Sequence, residues 1–431
     1  MQNKLIYIIA FCLAVSTIIG QQVTKPENGT FLLKGATVHT ITNGNTMADL
    51  LIIDGKIADI GTNLSSPGAK VIDCSGSHIY PGLIDGGTQV GMSEVGSVSL
   101  TNDYNEIGDF IPHMQALTAV NPNATAIPVT RTNGVTTAIV QPTGGLFPGT
   151  AALVNLNGYT PKQMDAGFSA VRIIYPSSGR RGRFDRRSDE DIKKAEENAL
   201  KNLNDSWEKA VLYAKIDSAG KAGNVSRNDY NPQMEALLPV VRGEMKVMIE
   251  VNAKKDILSA IEWVKKNKVD AIFTGVSEGF RVADKIAEAG IPVVTGPVLS
   301  IPGRSSDRYD AAYTNPGIMQ KAGVKVAIRT NDSENVRNLP FNAGFAAAYG
   351  MGIEEALKSV TIVPAEIFGV SDKYGSLEKG KVANLFVSDG DPFETKTTIQ
   401  HLFIEGWKIG MDNRHTMLYD EFLDRTPGLN K

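Results

Sequence analysis

The chain has 431 residues and a formal net charge of −3 at pH 7, from 44 Lys and Arg against 47 Asp and Glu. This mixed charge gives no electrostatic basis for binding nucleic acid, so no nucleic-acid partner is expected. The length allows one large α/β domain and a smaller one, and the 42 glycines fit an enzyme-like chain with many tight turns.

The first twenty residues are typical of a secretory signal peptide. Lys4 gives a positive start, residues 5–20 are uncharged and mostly apolar, and Gly20 precedes a plausible cleavage point. This run is shorter than the ~20 apolar residues that span a bilayer, so a cleaved signal is favoured over a retained anchor. We therefore expect an exported, periplasmic protein without a stable membrane anchor.

The cysteine content shows whether a disulfide can stabilise the mature chain. Cys12 lies within the predicted signal, so only Cys74 remains after cleavage. An intramolecular disulfide is then impossible, and Cys74 is expected to be a reduced, structural thiol. The fold must depend on its apolar core.

Short β-strands are predicted near both ends of the chain. The dipeptide Asp54-Gly55 separates two apolar runs and favours a two-residue hairpin turn. Strand-like runs return after residue 383. Residues 31–80 and 371–412 are therefore predicted to form one small β-sandwich domain from both chain ends.

Between these ends, residues 81–370 alternate strand-like and helix-like segments. Six apolar runs have the composition of buried parallel strands, at residues 135–141, 168–175, 246–251, 270–274, 292–297 and 325–330. Helical patterns lie between them, the longest being the charged stretch 189–214. Alternation over this length predicts a (β/α)8 TIM-type barrel.

Several segments resemble the amidohydrolase superfamily and occur in the order expected for it. Residues 71–85, ending in PGLID, look like the family's passage from the small sheet into the first barrel strand, and residues 361–392 look like its return. Residues 403–406 match the closing hairpin, while residues 144–164 and 283–300 resemble the imidazolonepropionase-like branch. The resemblance implies a barrel hydrolase that acts on carbon–nitrogen bonds with the help of a metal ion.

The residues at the family's first metal-ligand positions cannot bind zinc well. Such a cation polarises the scissile carbonyl and lowers the pKa of a bound water towards ~7. The resemblance places the first two histidine ligands at Gly87 and Gln89, whose side chains would point to the barrel mouth. Glycine offers no ligand, and glutamine offers only a neutral amide oxygen. None of the five histidines lies between residues 114 and 400, so the later histidine ligands have no equivalent.

The remaining family positions carry oxygen donors. Glu250 and Asn252 stand where a histidine-bearing strand end is expected, and the last-strand aspartate falls on Asn331, or on Asp332 if the register slips by one residue. Glu250 is either a pocket carboxylate or the partner of a nearby cation, and Asp332 is either a residual acid or base or a helix cap. We therefore expect no metal cofactor, and Glu250 and Asp332 are the candidate catalytic residues.

Two arginines are candidates for substrate binding. Arg329 lies within an apolar strand, where an unpaired guanidinium would be costly, so pairing with Glu250 or another inner carboxylate is predicted. Arg180 begins the run RRGR and is either a clamp for a substrate carboxylate or part of a solvated loop.

These observations leave functions from different classes open. By resemblance, the chain is an exported hydrolase of cyclic amide-like or dipeptide-like carbon–nitrogen bonds with a degenerate metal site. Alternatively, it is a non-catalytic ligand-binding protein, or a partner subunit of an active relative. Hydrolysis by Glu250 and Asp332 as paired carboxylates, without metal, is a third hypothesis. A small molecule is the expected partner in each case, and the assembly is either a homo-oligomer or a complex with an active relative.

Overall fold

The computed structural model describes residues 24–179, 185–223, 226, 229–304 and 306–425. The predicted signal peptide and the predicted clamp residue Arg180 lie outside the described residues. Within these ranges, no helix combines the length and the apolar character needed to cross a membrane.

The described residues form sixteen β-strands and twelve α-helices. The strands are β1 Phe31–His39, β2 Asn45–Ile53, β3 Lys56–Gly61, β4 Lys70–Asp73, β5 His78–Pro81, β6 Leu83–Thr88, β7 Val135–Val140, β8 Gly149–Asn155, β9 Asp165–Ile174, β10 Lys246–Val251, β11 Ala271–Gly275, β12 Val293–Thr295, β13 Val326–Ile328, β14 Leu385–Ser388, β15 Ile399–Ile404 and β16 Trp407–Ile409. The helices are α1 Ala116–Ala119, α2 Ala126–Arg131, α3 Pro161–Met164, α4 Asp189–Lys221, α5 Pro232–Val241, α6 Lys254–Asn267, α7 Ala283–Ala289, α8 Ala311–Lys321, α9 Leu339–Ala346, α10 Ile353–Lys358, α11 Ile362–Ile367 and α12 Arg414–Arg425.

A small mixed sheet unites the two chain ends, as predicted. Its order is β16-β15-β14-β5-β1-β2-β3, with β4 also paired to β1, and β14 joins β5 antiparallel. The rings of Phe31 in β1 and Phe403 in β15 lie 5.2 Å apart although two strands separate them. In a flat sheet three strand spacings would place these backbones about 14 Å apart, so the sheet curls around one apolar core. Strands from both chain ends therefore share one hydrogen-bonded sheet and one core.

The second sheet is an eight-stranded barrel in the order β6 to β13 along the chain. Its first and last strands meet near their carboxyl ends through two backbone hydrogen bonds. The amide of Asn331 donates to the carbonyl of Gly87 in β6 at 2.9 Å, and the amide of Gln89 donates to the carbonyl of Asp332 at 3.0 Å. These bonds bring the end of β6 and the segment after β13 together at the carboxyl ends of the strands, which we call the barrel mouth.

Strand β8 departs from the expected all-parallel arrangement. It runs antiparallel to both β7 and β9, and its residues were not among the apolar runs from which strands were predicted. Antiparallel neighbours are joined by short connections, so no crossover helix is required between β7 and β9. The prediction of uniformly parallel strands is wrong here.

The barrel interior is apolar below the mouth. Ile84, Ile139, Met248, Ile272 and Val294 pack together there, each at most 1% exposed. Because this layer closes the interior from below, polar chemistry is confined to the carboxyl ends of the strands, as in other barrels of this type.

Outer helices cover the strands from outside. The charged segment that begins at residue 189 forms α4, whose amino end is capped by Ser188 accepting from the Asp191 amide. Trp207 of α4 and Trp263 of α6 are buried and pack edge to face, with ring centroids 5.4 Å apart. These tryptophans stabilise the helical layer and take no part in the mouth.

Candidate functional site

A layer of polar side chains lies directly above the apolar barrel interior. Its members come from five strands or strand ends, and we refer to Gln141, Arg172, Glu250, Thr274 and Arg329 together as the polar layer. Arg172 and Arg329 are each only 1% exposed. Because buried charges are stable only when paired, the contacts within this layer decide what it can do.

Glu250 at the end of β10 is the centre of the polar layer. Arg329 donates to both its oxygens, from Nη1 to Oε2 at 2.8 Å and from Nη2 to Oε1 at 2.7 Å. Arg172 Nη2 and Thr274 Oγ1 donate to Oε2 at 3.1 Å and 2.7 Å. The predicted pairing of Arg329 with Glu250 is therefore confirmed, and it has the bidentate geometry of strong guanidinium–carboxylate pairs.

The same contacts fix the ionisation of Glu250. Burial alone would raise the pKa of this carboxyl, but the guanidinium groups of Arg329 and Arg172 outweigh burial and hold the pKa well below its usual range. Glu250 is thus a permanent anion whose oxygens already accept several donors. This geometry favours the ion-pair interpretation of Glu250 over that of a free pocket carboxylate.

Side chains of the polar layer take the space beside Gly87. A Cβ atom added to Gly87 would lie 2.9 Å from Gln141 Oε1 and 3.1 Å from Arg329 Cδ. Gln141 Nε2 in turn donates to Asn331 Oδ1 at 3.1 Å. Gly87, Gln141 and Asn331 therefore meet at the mouth, and the buried Gln89 follows Gly87 on the same segment.

Asp85 is a fully buried carboxylate that sequence reasoning did not select. It accepts from Thr330 Oγ1 at 2.6 Å, from the Thr330 amide at 3.2 Å and from the Gly87 amide at 3.0 Å. Burial raises the pKa of Asp85 to about 7, and the bonds from Thr330 and Gly87, with the charge of Arg329, offset part of that rise. These contacts hold the segments of Gly87 and Thr330 together behind the mouth.

The other two predicted mouth residues have local partners. Asp332 Oδ1 accepts from the amides of Glu334 at 2.8 Å and Asn335 at 3.0 Å. Burial raises the pKa of Asp332, but these donors lower it by more, so the group stays ionised. Asn252 Nδ2 lies 3.4 Å from Glu250 Oε1. The contacts of Asp332 with the amides of Glu334 and Asn335 are those of a helix cap, which was the alternative to its role as an acid or base.

A cavity of about 710 Å³ opens beside the mouth. It lies between the loop that follows β7, the end of β9 and α4, and its lining includes Gly145, Tyr175 and Glu196. The volume is typical of sites for small molecules. The two glycines at residues 144–145 therefore border a cavity.

Comparison with known proteins identifies the fold and supports the resemblance to the amidohydrolase superfamily. Residues 304–409 match the model of the amidohydrolase family. The structure is similar to that of an amidohydrolase from Thermotoga maritima MSB8, with a TM-score of 0.79 at 24% identity, over 89% of this chain and 100% of that one. This chain therefore has the fold of that amidohydrolase, and its carboxyl-terminal part matches the amidohydrolase family.

Sequence similarity to curated members of the superfamily is partial. D-hydantoinase from Geobacillus stearothermophilus is 49% identical over 79 residues, which are 18% of this chain and 16% of that protein. Amidohydrolase tasK from Hapsidospora irregularis is 22% identical over 408 residues, or 84% of this chain and 39% of that protein. The matches thus span well under two thirds of these relatives. They confirm the resemblance to the superfamily, while assignment to the imidazolonepropionase-like branch stays a prediction.

Four residues of this site were missed from sequence. Gln141, Arg172 and Thr274 are polar residues within or directly after apolar strand runs, and Asp85 ends the PGLID motif. A polar residue that interrupts a buried strand is the signal that could have identified them, as it identified Arg329. Members of the superfamily usually bind metal; within the described ranges, no group of three or more His, Cys, Asp or Glu side chains is arranged to hold a metal ion.

Proposed function

We propose that this protein binds a small amide- or carboxylate-bearing molecule at the barrel mouth without zinc, and that it has lost zinc-dependent hydrolysis. The observation that carries the proposal is the bidentate pair of Arg329 with Glu250, together with Gln141 beside Gly87. These side chains occupy the space that a metal-binding side chain at position 87 would need.

The donors at the mouth do not fit a zinc ion. Zinc prefers imidazole, thiolate and free carboxylate ligands, whereas Gln89, Gln141 and Asn331 offer neutral amides. The Glu250 carboxylate is already paired, and the two guanidinium groups leave one net positive charge around it, which Asp85 near Arg329 balances only in part at neutral pH. At an effective dielectric of ~20, one such charge repels a divalent ion at ~4 Å by about 8 kcal/mol.

The mouth suits a neutral or anionic organic ligand instead. Amide N–H groups such as that of Gln89 recognise carbonyl and carboxylate oxygens by directional hydrogen bonds. Relatives of this chain are named D-hydantoinase, dihydroorotase and allantoinase, which supports cyclic amide-like ligands as the first class to test. Dipeptides are the second class, supported by a structural neighbour described as a prolidase.

Metal content and ligand binding test the proposal together. Protein purified without chelator should contain zinc at well below one equivalent per chain, and hydantoin, dihydroorotate, allantoin or a dipeptide should raise its melting temperature equally with and without chelator. Gln89→Leu should weaken that shift, while Gln320→Leu, the same change on the outer helix α8, should not. Stoichiometric, tightly held zinc, or hydrolysis of these compounds that a chelator abolishes, would show the proposal to be wrong.

We propose further that the protein is exported to the periplasm. The uncharged apolar run at residues 5–20 after Lys4 supports this. Sequencing the amino terminus of the periplasmic product should find a start near Gln21. A product that retains Met1 in the membrane fraction would contradict export by a cleaved signal.

A further inference from the structure

Arg172 in β9 is buried, and two of the three nitrogen atoms of its guanidinium group have no hydrogen-bond partner among the described residues. The residue is 1% exposed, and Nη2 donates to Glu250 Oε2 at 3.1 Å. Nε and Nη1 are buried, and neither has a hydrogen-bond acceptor within the described part of the chain. Unpaired buried donors are rare in proteins, and those of a charged group are the most costly, so an unpaired guanidinium requires an explanation.

The charge of Arg172 is also poorly balanced. Arg172 and Arg329 share the Glu250 carboxylate. Arg329 makes two hydrogen bonds to it, and Arg172 makes one. The pKa of Arg172 is lowered to about 10, chiefly by burial. The negative charge of Glu250 opposes this shift, and the positive charge of Arg329 adds to it. The Arg172 guanidinium therefore still carries its proton at neutral pH. The polar layer thus holds two cations and one permanent anion, and Asp85, which interacts with Arg329 and has a pKa of about 7 because of its burial, balances the positive surplus only in part at neutral pH.

We propose that Arg172 binds a small anion inside the barrel through at least one of its unpaired N–H groups. The ligand class is a monovalent halide, or the carboxylate of a small organic acid. A water molecule would satisfy a donor but would leave the surplus charge, whereas an anion supplies both an acceptor and the opposite charge. This site is distinct from ligand binding at the mouth, and it would remain if that function were disproved.

Anion-dependent stability tests the site in the full-length mature protein. Melting temperatures are measured without any mouth ligand at constant ionic strength, while sodium methanesulfonate, a bulky and weakly coordinating salt, is replaced stepwise by sodium bromide or sodium formate. An anion that binds only the folded state raises its stability with concentration, so a saturable rise of at least about 2 °C is expected. A response to bromide alone identifies a halide site, and a response to formate alone identifies a carboxylate site.

Matched variants assign the effect to Arg172. Arg172→Met should abolish the rise, while Arg308→Met, at a side chain that is 81% exposed and paired with Asp310, should keep it. Gln89→Leu should also keep it, which separates this site from the mouth. Should Arg172→Met fail to fold, Arg172→Lys keeps the charge but loses the planar donors, and it should raise the half-saturating anion concentration at least tenfold.

A crystallographic measurement needs no variant. Crystals of the unmodified protein grown in bromide should show an anomalous peak within hydrogen-bond distance of Arg172 Nε or Nη1. The proposal is overturned if only a water lies there, if the melting temperature is the same in all three salts, or if Arg172→Met responds as the unmodified protein does.

Discussion

Replacing Arg329 by Met should destabilise the protein strongly, because the Glu250 carboxylate would remain buried with only one guanidinium beside it. The change removes two charge-assisted bonds of 2.8 Å and 2.7 Å, and a weaker one of 3.3 Å from Nε to the Gly296 carbonyl. Thr274 and Arg172 would still donate to Glu250. Breaking one partner from a buried ion pair typically costs about 3–5 kcal/mol, and we expect a loss in the free energy of unfolding within that range.

Equilibrium unfolding in urea at pH 7, by linear extrapolation, measures this loss. Arg425→Met is the control, because the ion pair of Arg425 with Glu421 on α12 is exposed on both sides and should contribute at most about 1 kcal/mol. If Arg329→Met loses no more stability than Arg425→Met, the Glu250 carboxylate is solvated and our description of the polar layer is wrong. The ion pair also lowers the folded-state pKa of Glu250, so its stabilisation is present above the unfolded pKa of ~4.3 and is lost only as the pH falls below that value.

Three further changes test other parts of the structure. Gly87→His should cost about 1–3 kcal/mol and bind no added zinc by elemental analysis, because its Cβ would lie 2.9 Å from Gln141 Oε1. Burial raises the pKa of Asp85 to about 7, so the stability of the unmodified protein should fall as the pH rises from about 4 to 7. Urea unfolding of Asp85→Asn should show a smaller change of stability with pH. An unchanged pH dependence would refute the raised pKa of Asp85. Burial, with the neighbouring His78, lowers the pKa of His39 to about 4, so stability should fall as the pH drops from about 6.5 to 4. The substitution His39→Phe keeps the stacking on Tyr80. The difference between its melting temperatures at pH 5 and pH 7.5 should be smaller than the difference for the unmodified protein.

Local sequence determined much of the fold. Strand β10 has the bounds predicted from its apolar run, Lys246–Val251, because burial on both faces leaves a continuous apolar pattern in the sequence itself. The PGLID motif and the returning β-segments were sufficient to predict the superfamily and the small sheet shared by both chain ends. Arg329 could be assigned a carboxylate partner in advance, since a charge within an apolar strand must be paired when buried.

The tertiary structure alone decided how the mouth is filled. The antiparallel direction of β8 depends on which strands it pairs with, and its own residues do not encode that direction. Asp85 and Thr330 are 245 positions apart in the chain, and Gln141 and Asn331 are 190 apart, yet each pair is hydrogen-bonded. Glycine at position 87 indicated a missing ligand, but only the closed barrel brings Gln141 and Arg329 against it. Hydrogen bonds, ion pairs and desolvation act over a few ångströms in space, so their partners and the pKa values they produce are fixed only when distant segments have packed together.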